Sequence, residues 1–281
     1  MANIQHLFDI AGQTAVVTGG AGVLCTEIVR MLAAHGIKVA ILDLAGDRAQ
    51  ALADELNAAY APDADSPCAI GIATNVLQRA SIEAAAEQIN ATFGPVDILI
   101  NGAGGNKADA TTSAELPFFD VPPDAAQWVF NLNFIGTLLP TQVFGKAMAE
   151  RGQGVILNIS SMSAFRALTR IPAYSAAKAA ISNFTQWLAV HMAQEYTPNI
   201  RVNALAPGFF QTEQNRFLLT DEQTGELTAR GQQILDHTPA ARFGDPEDLL
   251  GTTLWLLSPA AAFVTGVVVP IDGGFNAYSG V

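Results

Sequence analysis

The chain has 281 residues and 50% apolar content, enough to bury one sizeable core and near the upper limit of a single α/β domain. Its formal net charge of −12, from 26 acidic against 14 basic residues, argues against nucleic acid or an anionic membrane face as partner and favours a small molecule. Cys25 and Cys68 offer neither a disulfide framework nor a metal knuckle, and no stretch approaches the roughly 18 apolar residues of a membrane span, so a cytoplasmic protein is expected.

The first predicted strand is "TAVVT" (Thr14 to Thr18), followed by a glycine-rich turn, Gly19-Gly20-Ala21-Gly22-Val23-Leu24-Cys25. Gly20 and Gly22 satisfy the first two positions of G-x-G-x-x-G, where glycines permit a tight turn and let amides approach a pyrophosphate at a helix N-terminus. The third position, which lets the helix lie close to the strand, is Cys25. A helical segment, "TEIVRMLAAHG", leads to a second strand, "KVAIL" (Lys38 to Leu42), closed by Asp43. That carboxylate, 23 residues after Gly20, is placed to accept hydrogen bonds from a ribose and would repel a 2′-phosphate. No Lys or Arg occurs in the loop or immediately after Asp43, so NAD(H) is favoured over NADP(H).

Further strands are predicted at "AIGIA" (Ala69 to Ala73), "VDILI" (Val96 to Ile100), "GVILNIS" (Gly154 to Ser160), "IRVNALA" (Ile200 to Ala206) and "GVVVPI" (Gly266 to Ile271), separated by helical patterns. Continuous Val/Ile runs imply strands buried on both faces, hence a parallel sheet covered by helices. The expected fold is α/β, a single doubly wound Rossmann-type domain spanning residues 1–281 with a sheet of about seven parallel strands. Chemistry should then lie beyond the carboxyl ends of the strands. The polar interval 209–249 carries no strand; it reads as a helical excursion, serving as a substrate lid or as a solvated surface helix pair.

The segment "SSMSAFRALTRIPAYSAAKAA" carries Tyr174 and Lys178 at i and i+4, on one face of a helix. A phenol with a reference pKa of about 10 is a poor acid/base at neutral pH, and an adjacent ammonium is expected to lower that value. Ser161, 13 residues upstream at a strand end, can hydrogen-bond a substrate carbonyl and hold it against the Tyr174 oxygen. No His/Asp/Glu cluster has metal spacing, so a metal-independent reaction is expected.

With these motifs in place the chain resembles the short-chain dehydrogenase/reductase family over nearly its whole length. The family's T-G-x-x-x-G-x-G lands on Thr18 and Gly19 but meets Val23 and Cys25 at its last two glycines. Asn101, Gly102 and Ala103 resemble the N-N-A-G segment, with Gly102 in place of the second Asn. Asn133 falls at the Asn of the family's Asn-Ser-Tyr-Lys tetrad, Asn75 and Val76 at its adenine site, and Pro207, Gly208 and Thr212 where it holds the nicotinamide carboxamide. Leu24 and Leu44 join the expected cofactor contacts. The resemblance implies hydride exchange between a nicotinamide and a secondary alcohol or ketone: Tyr174 transfers the proton, Lys178 positions the ribose, Ser161 orients the carbonyl and Asn133 holds a water of the relay.

The stretches Gly102 to Asn106, Asn131 to Phe144, Asn158 to His191 and Asp272 to Val281 are similar to the family's branch acting on D-mannonate and D-fructuronate. A sugar-acid carboxylate needs a cationic or multiply donating partner. Arg166 is the expected clamp, helped by Asn106 or Arg216; Arg170 and Lys107 lie in the same segments, and pairing of these cations with surface carboxylates is the alternative. Other ketones of the same chemistry (a neutral sugar, a gluconate, an acyl thioester) stay open, as does a non-catalytic nucleotide-binding scaffold. His191 and His237 read as isolated, and Phe184, Trp187 and Leu188 as packing on the Tyr174 helix. By resemblance that helix joins a subunit interface, with a homotetramer expected and a dimer as the alternative.

Overall fold

The computed structural model describes residues 4–61, 63, 65–211, 219–221 and 224–280. Seven strands form one all-parallel sheet in the order β3-β2-β1-β4-β5-β6-β7. They are β1 (Thr14–Thr18), β2 (Lys38–Asp43), β3 (Ala69–Ala73), β4 (Ile98–Asn101), β5 (Gly154–Ile159), β6 (Ile200–Pro207) and β7 (Val268–Ile271). Each matches an expected strand to within two residues at either end. The last begins at Val268 rather than Gly266 because Gly266 has φ of 78°, outside the extended region. The strand order reverses between β1 and β4, leaving a crevice at their carboxyl ends where a ligand can enter.

Around the sheet run α1 (Val23–Ala34), α2 (Gly46–Tyr60), α3 (Arg79–Phe93), α4 (Pro123–Phe130), α5 (Gly136–Arg151), α6 (Pro172–Glu195), α7 (Ala229–Asp236) and α8 (Leu250–Leu257). Two apolar clusters sandwich the sheet. One packs α1 and α2 against it through residues such as Ile28, Leu32 and Leu56; the other packs α3, α5 and α6 through Ile82, Ile89, Met148 and Leu188. Every residue of β1 and β4 is buried, as the unbroken apolar runs require.

A π-helical turn at Asn131–Ile135 joins α4 to α5 and turns Asn133 inward. In α6 the buried residues Ala177, Lys178, Ile181, Ser182, Thr185, Leu188, Ala189 and Met192 trace one face, which docks the helix on the sheet. The interval 209–249 contains α7, whose N-cap Thr228 accepts from the Gly231 amide, and a short 3-10 turn at Pro246–Leu249 held by an Asp245/Asp248 capping box.

Candidate active site

A single cleft of about 570 Å³ runs along the carboxyl edge of the sheet from Asp43 and Leu44 to Tyr174 and Lys178. The β1–α1 turn forms its floor. Gly19 has φ of 61°, and a Cβ there would lie 2.8 Å from Ala103 Cα, so only glycine serves. Gly22 is the N-cap of α1 with no side-chain cap, so the first-turn amides of this helix face the cleft as an anion site. Asp43 is aimed by two backbone amides: Ala21 N–H donates to Oδ2 at 3.2 Å and Ala45 N–H to Oδ1 at 3.0 Å. Beside it Leu44 is 77% exposed, an apolar platform at the cleft mouth. Uncapped amides, a fixed carboxylate and an exposed apolar side chain in one cleft fit the diphosphate, ribose and adenine of a dinucleotide.

The other end holds the chemistry. Lys178 Nζ donates to Ile159 O at 2.8 Å and lies 5.4 Å from the Tyr174 ring centroid. A Cβ on Gly104 would stand 2.7 Å from Asn133 Oδ1 and 3.3 Å from Lys178 Nζ, so the bare backbone of the β4 loop leaves room for both. Asn133 Nδ2 donates to Gly105 O at 2.7 Å and to Val129 O at 2.8 Å, fastening that loop to the π turn. Ser161 Oγ accepts from Ser163 N–H at 3.2 Å and also hydrogen-bonds Tyr174. Tyr174, Lys178, Ser161 and Asn133 are therefore assembled at one end of the cleft.

The electrostatics correct one expectation. Burial pushes the Tyr174 phenol above its ordinary value, only partly offset by the Ser161 hydrogen bond. Burial also pulls the Lys178 ammonium down to about 8, which leaves it charged at neutral pH but ready to titrate just above it.

Of the expected cofactor contacts, Gly19, Gly22, Val23, Leu24, Asp43, Leu44, Asn75, Val76, Gly102, Ala103, Tyr174 and Lys178 line the cleft. Thr18, Gly20 and Asn101 do not. Thr18 Oγ1 accepts from the Gly102 and Ala103 amides, both at 3.2 Å, tying β1 to the β4 loop. Gly20 packs under Ile41, where a Cβ would lie 2.8 Å from Cγ2. Asn101 is buried and donates to Thr141 Oγ1 at 3.0 Å and Asn158 Oδ1 at 2.9 Å, because a side chain inside the sheet must find polar partners there. Pro207 ends β6, and Gly208 N–H donates to Ile271 O at 2.9 Å; neither is among the cleft-lining residues. Thr212 and Arg216 lie outside the described residues.

Arg166 is exposed, and its guanidinium donates to the Asn276 side chain and carbonyl, which ties it to the C-terminal segment. Asn106 Nδ2 donates to Thr111 Oγ1 at 2.8 Å. Several cleft residues escaped sequence reasoning, Arg48, Trp128 and Leu132 among them. Arg48 reaches back from the first turn of α2 to the carbonyl of Ala21, and Trp128 and Leu132 enter from α4 and the π turn. Helix phase brings Arg48 there; adjacency to Asp43 was the wrong signal.

The sequence matches the family model of the short chain dehydrogenases over residues 13–223. The chain belongs to this family. Like other short chain dehydrogenases it is an oxidoreductase, and its neighbours sharpen the comparison. It is 50% identical to an uncharacterized oxidoreductase, UxuB, of Bacillus subtilis (strain 168), over 97% of this chain and 98% of that one. It superposes with a TM-score of 0.90 on a crystal structure from Haemophilus influenza, provisionally named a D-mannonate oxidoreductase, with bound NAD. That protein is 46% identical, with 99% of this chain and 100% of the other covered. A gluconate 5-dehydrogenase from Burkholderia cenocepacia J2315, in complex with NADP and tartrate, aligns at a TM-score of 0.85 and 29% identity, over 98% and 100% of the two chains.

Proposed function

We propose that this short chain dehydrogenase uses NAD(H) to interconvert a secondary alcohol and a ketone of a sugar acid, D-mannonate and D-fructuronate being the preferred pair. The observation that carries the chemistry is the convergence of Ser161, Tyr174 and Lys178 at the end of the cleft whose other end holds the fixed Asp43 carboxylate. A nicotinamide held in this cleft would supply or accept the hydride. In the reducing direction the Tyr174 hydroxyl gives its proton to the carbonyl oxygen, and Ser161 hydrogen-bonds that oxygen and orients it. A phenol held above its usual pKa is well kept in the protonated form needed for that step. The Lys178 ammonium is placed to hold ribose hydroxyls, and Asn133, locked to Gly105, keeps the β4 loop and the proton path in register.

The substrate class is supported by the likeness to the NAD-bound Haemophilus influenza protein and by cations near the catalytic segment. Arg166 stays the first candidate for the carboxylate clamp, through release from Asn276 or through its remaining N–H groups. Arg170 and Arg230 make no ion pair with a carboxylate among the described residues, and the charge of Arg170 is felt at Arg230. The gluconate 5-dehydrogenase likeness keeps 5-ketogluconate as the second reading. NADH absorbance followed with D-fructuronate, 5-ketogluconate and an acetoacetyl thioester separates the readings. D-fructuronate should give the highest kcat/KM, and NADH binding with no turnover of any keto acid would leave only a scaffold. Arg166→Met should raise KM for the keto acid at least roughly tenfold more than for a neutral ketose, the scale of one lost charge-assisted contact.

We also propose a homotetramer. An aromatic ladder covers the outer face of α6, where Phe184 stacks on Trp187 at 6.2 Å, Trp187 on His191 at 4.6 Å, and Tyr196 meets His191 at 5.7 Å. Trp187, Val190 and Tyr196 are 55%, 56% and 60% exposed beside a groove between α5 and α6, an apolar face of the kind a second copy covers.

A further inference from the structure

The β1–α1 turn and the β4 loop, the two backbones that carry the dinucleotide cleft, touch directly. Gly102 N–H donates to Thr18 O at 3.1 Å, and the Thr18 hydroxyl accepts from the same Gly102 amide and from that of Ala103. One side chain enters this contact. Cys25, at the position where the glycine motif asks for its last glycine, is buried, and its Sγ occupies the volume directly above Gly102. A Cβ built on Gly102 would lie 2.2 Å from that sulfur. Its next nearest neighbour would be the backbone oxygen of Thr18 at 2.8 Å, which cannot swing aside, so the sulfur makes the larger overlap and the β1 backbone a second, smaller one. Positions 25 and 102 therefore share one side-chain volume.

We propose that Cys25 and Gly102 form a complementary pair that sets the spacing between the two cofactor loops, Cys25 filling the space that a side chain at 102 would take. The consequence reaches the catalytic end. Gly104 and Gly105 follow in the same loop; Gly105 is hydrogen-bonded both ways to Asn133, and Gly104 has no room for a Cβ beside Asn133 and Lys178. A displacement of Gly102 is thus carried to Asn133 and Lys178. Burial keeps the Cys25 thiol neutral, with a pKa pushed up to about 12, so the sulfur fills the space without setting a negative charge beside the diphosphate site. The pair makes Cys25 a positioning residue, and it accounts for glycine being absent at 25 and present at 102 in one chain.

The inference rests on the dinucleotide reading of the cleft, and its test is independent of the substrate. A cycle of Cys25→Gly, Gly102→Ala and Cys25→Gly/Gly102→Ala is measured by NADH fluorescence titration and by thermal unfolding. Gly102→Ala should weaken NADH binding about 30-fold, Cys25→Gly about threefold, and the double variant should bind about fivefold tighter than Gly102→Ala without regaining native affinity, since the Thr18 O contact remains; that gain is the non-additivity expected of two groups competing for one space. kcat should fall and recover with Kd, because Asn133 and Lys178 move with the loop. Native NADH affinity in Gly102→Ala, or a double variant no tighter than Gly102→Ala, overturns the proposal. If Gly102→Ala does not fold, recovery of a soluble, NADH-binding double variant supports the pair and its failure to recover overturns it. Should the native chain not bind NADH at all, the cofactor reading fails separately, and the coupling in Tm still decides whether the two positions share a volume.

Discussion

Lys178 shows how one residue can serve function at the expense of stability. It is 4% exposed and held at about 8, whereas an unfolded lysine titrates near 10.4. The unfolded chain therefore binds this proton more tightly, so the penalty of burying the charge is complete below pH about 8 and fades as pH rises toward the unfolded value. Removing the ammonium should relieve roughly 3 kcal/mol at pH 7, less about 1 kcal/mol for the lost bond to Ile159 O. Lys178→Met should accordingly melt a few degrees higher than the native protein at pH 7, with the advantage gone by about pH 10.5. A Tm difference that does not change with pH would refute this account. The same titration should weaken NADH binding as pH passes about 8 in the native enzyme and leave Lys178→Met flat. At the far end of the cleft, Asp43 should discriminate by charge. At an effective dielectric between surface and bulk, its repulsion of a 2′-phosphate is about 2 kcal/mol, so Asp43→Ala should narrow the NADH-over-NADPH preference roughly 30-fold in paired kcat/KM measurements.

At the scale of elements, the site depends on how closely helices can approach the sheet. β3 and α2 meet at Gly71, where a Cβ would lie 2.3 Å from Gln50 N and 2.4 Å from Ala49 C, both backbone atoms that cannot swing aside. Gly71→Ala should cost about 3 kcal/mol and lower Tm by several degrees, while NADH Kd of the folded protein stays native because the clash is with the backbone of Ala49 and Gln50, neither of which lines the cleft. A loss of NADH affinity in step with Tm would mean that α2, which carries Arg48, sets the cleft more directly. Helix α6 is anchored differently, by polar pairs beneath the site. Ser160 Oγ meets Ser182 Oγ at 2.7 Å, and Asn158 Nδ2 donates to Thr185 Oγ1 at 2.9 Å. These bonds hold Tyr174 and Lys178 over the end of β5, and no local pattern announced them. The strands were legible because a buried parallel strand writes a continuous apolar run. Tyr174, Lys178 and Ser161 were legible because a helical turn and a strand end fix their relation within a few residues. Asn101 was misread because a motif position says nothing about which way a buried amide finds its partner.

For the whole molecule, the open question of assembly falls on the outer face of α6. Trp187→Glu places a charge in the middle of the aromatic ladder and should convert the proposed homotetramer to smaller species in sedimentation velocity, with NADH affinity within about threefold of native, since that face lies away from the dinucleotide cleft. An unchanged sedimentation coefficient would exclude this face as the interface. The acidic surface works at the same scale. With a net charge of −12, the chain repels anions at long range, so the proposed sugar-acid and dinucleotide ligands would be held by local donors such as the amides of α1 and the few arginines.

Sequence alone determined the seven parallel strands, the glycine turn, Asp43 and the Ser161, Tyr174 and Lys178 set, because each is encoded in periodicity or spacing within one stretch of chain. Only the tertiary structure decided that Arg48 joins the cleft, that Thr18 and Asn101 face inward, and that burial raises the Tyr174 phenol. It also decided the meaning of Cys25. Its partner, Gly102, lies in the loop after a strand adjacent in the sheet and distant in the chain, and a shared volume between two such residues is a property of packing that no local pattern can hold.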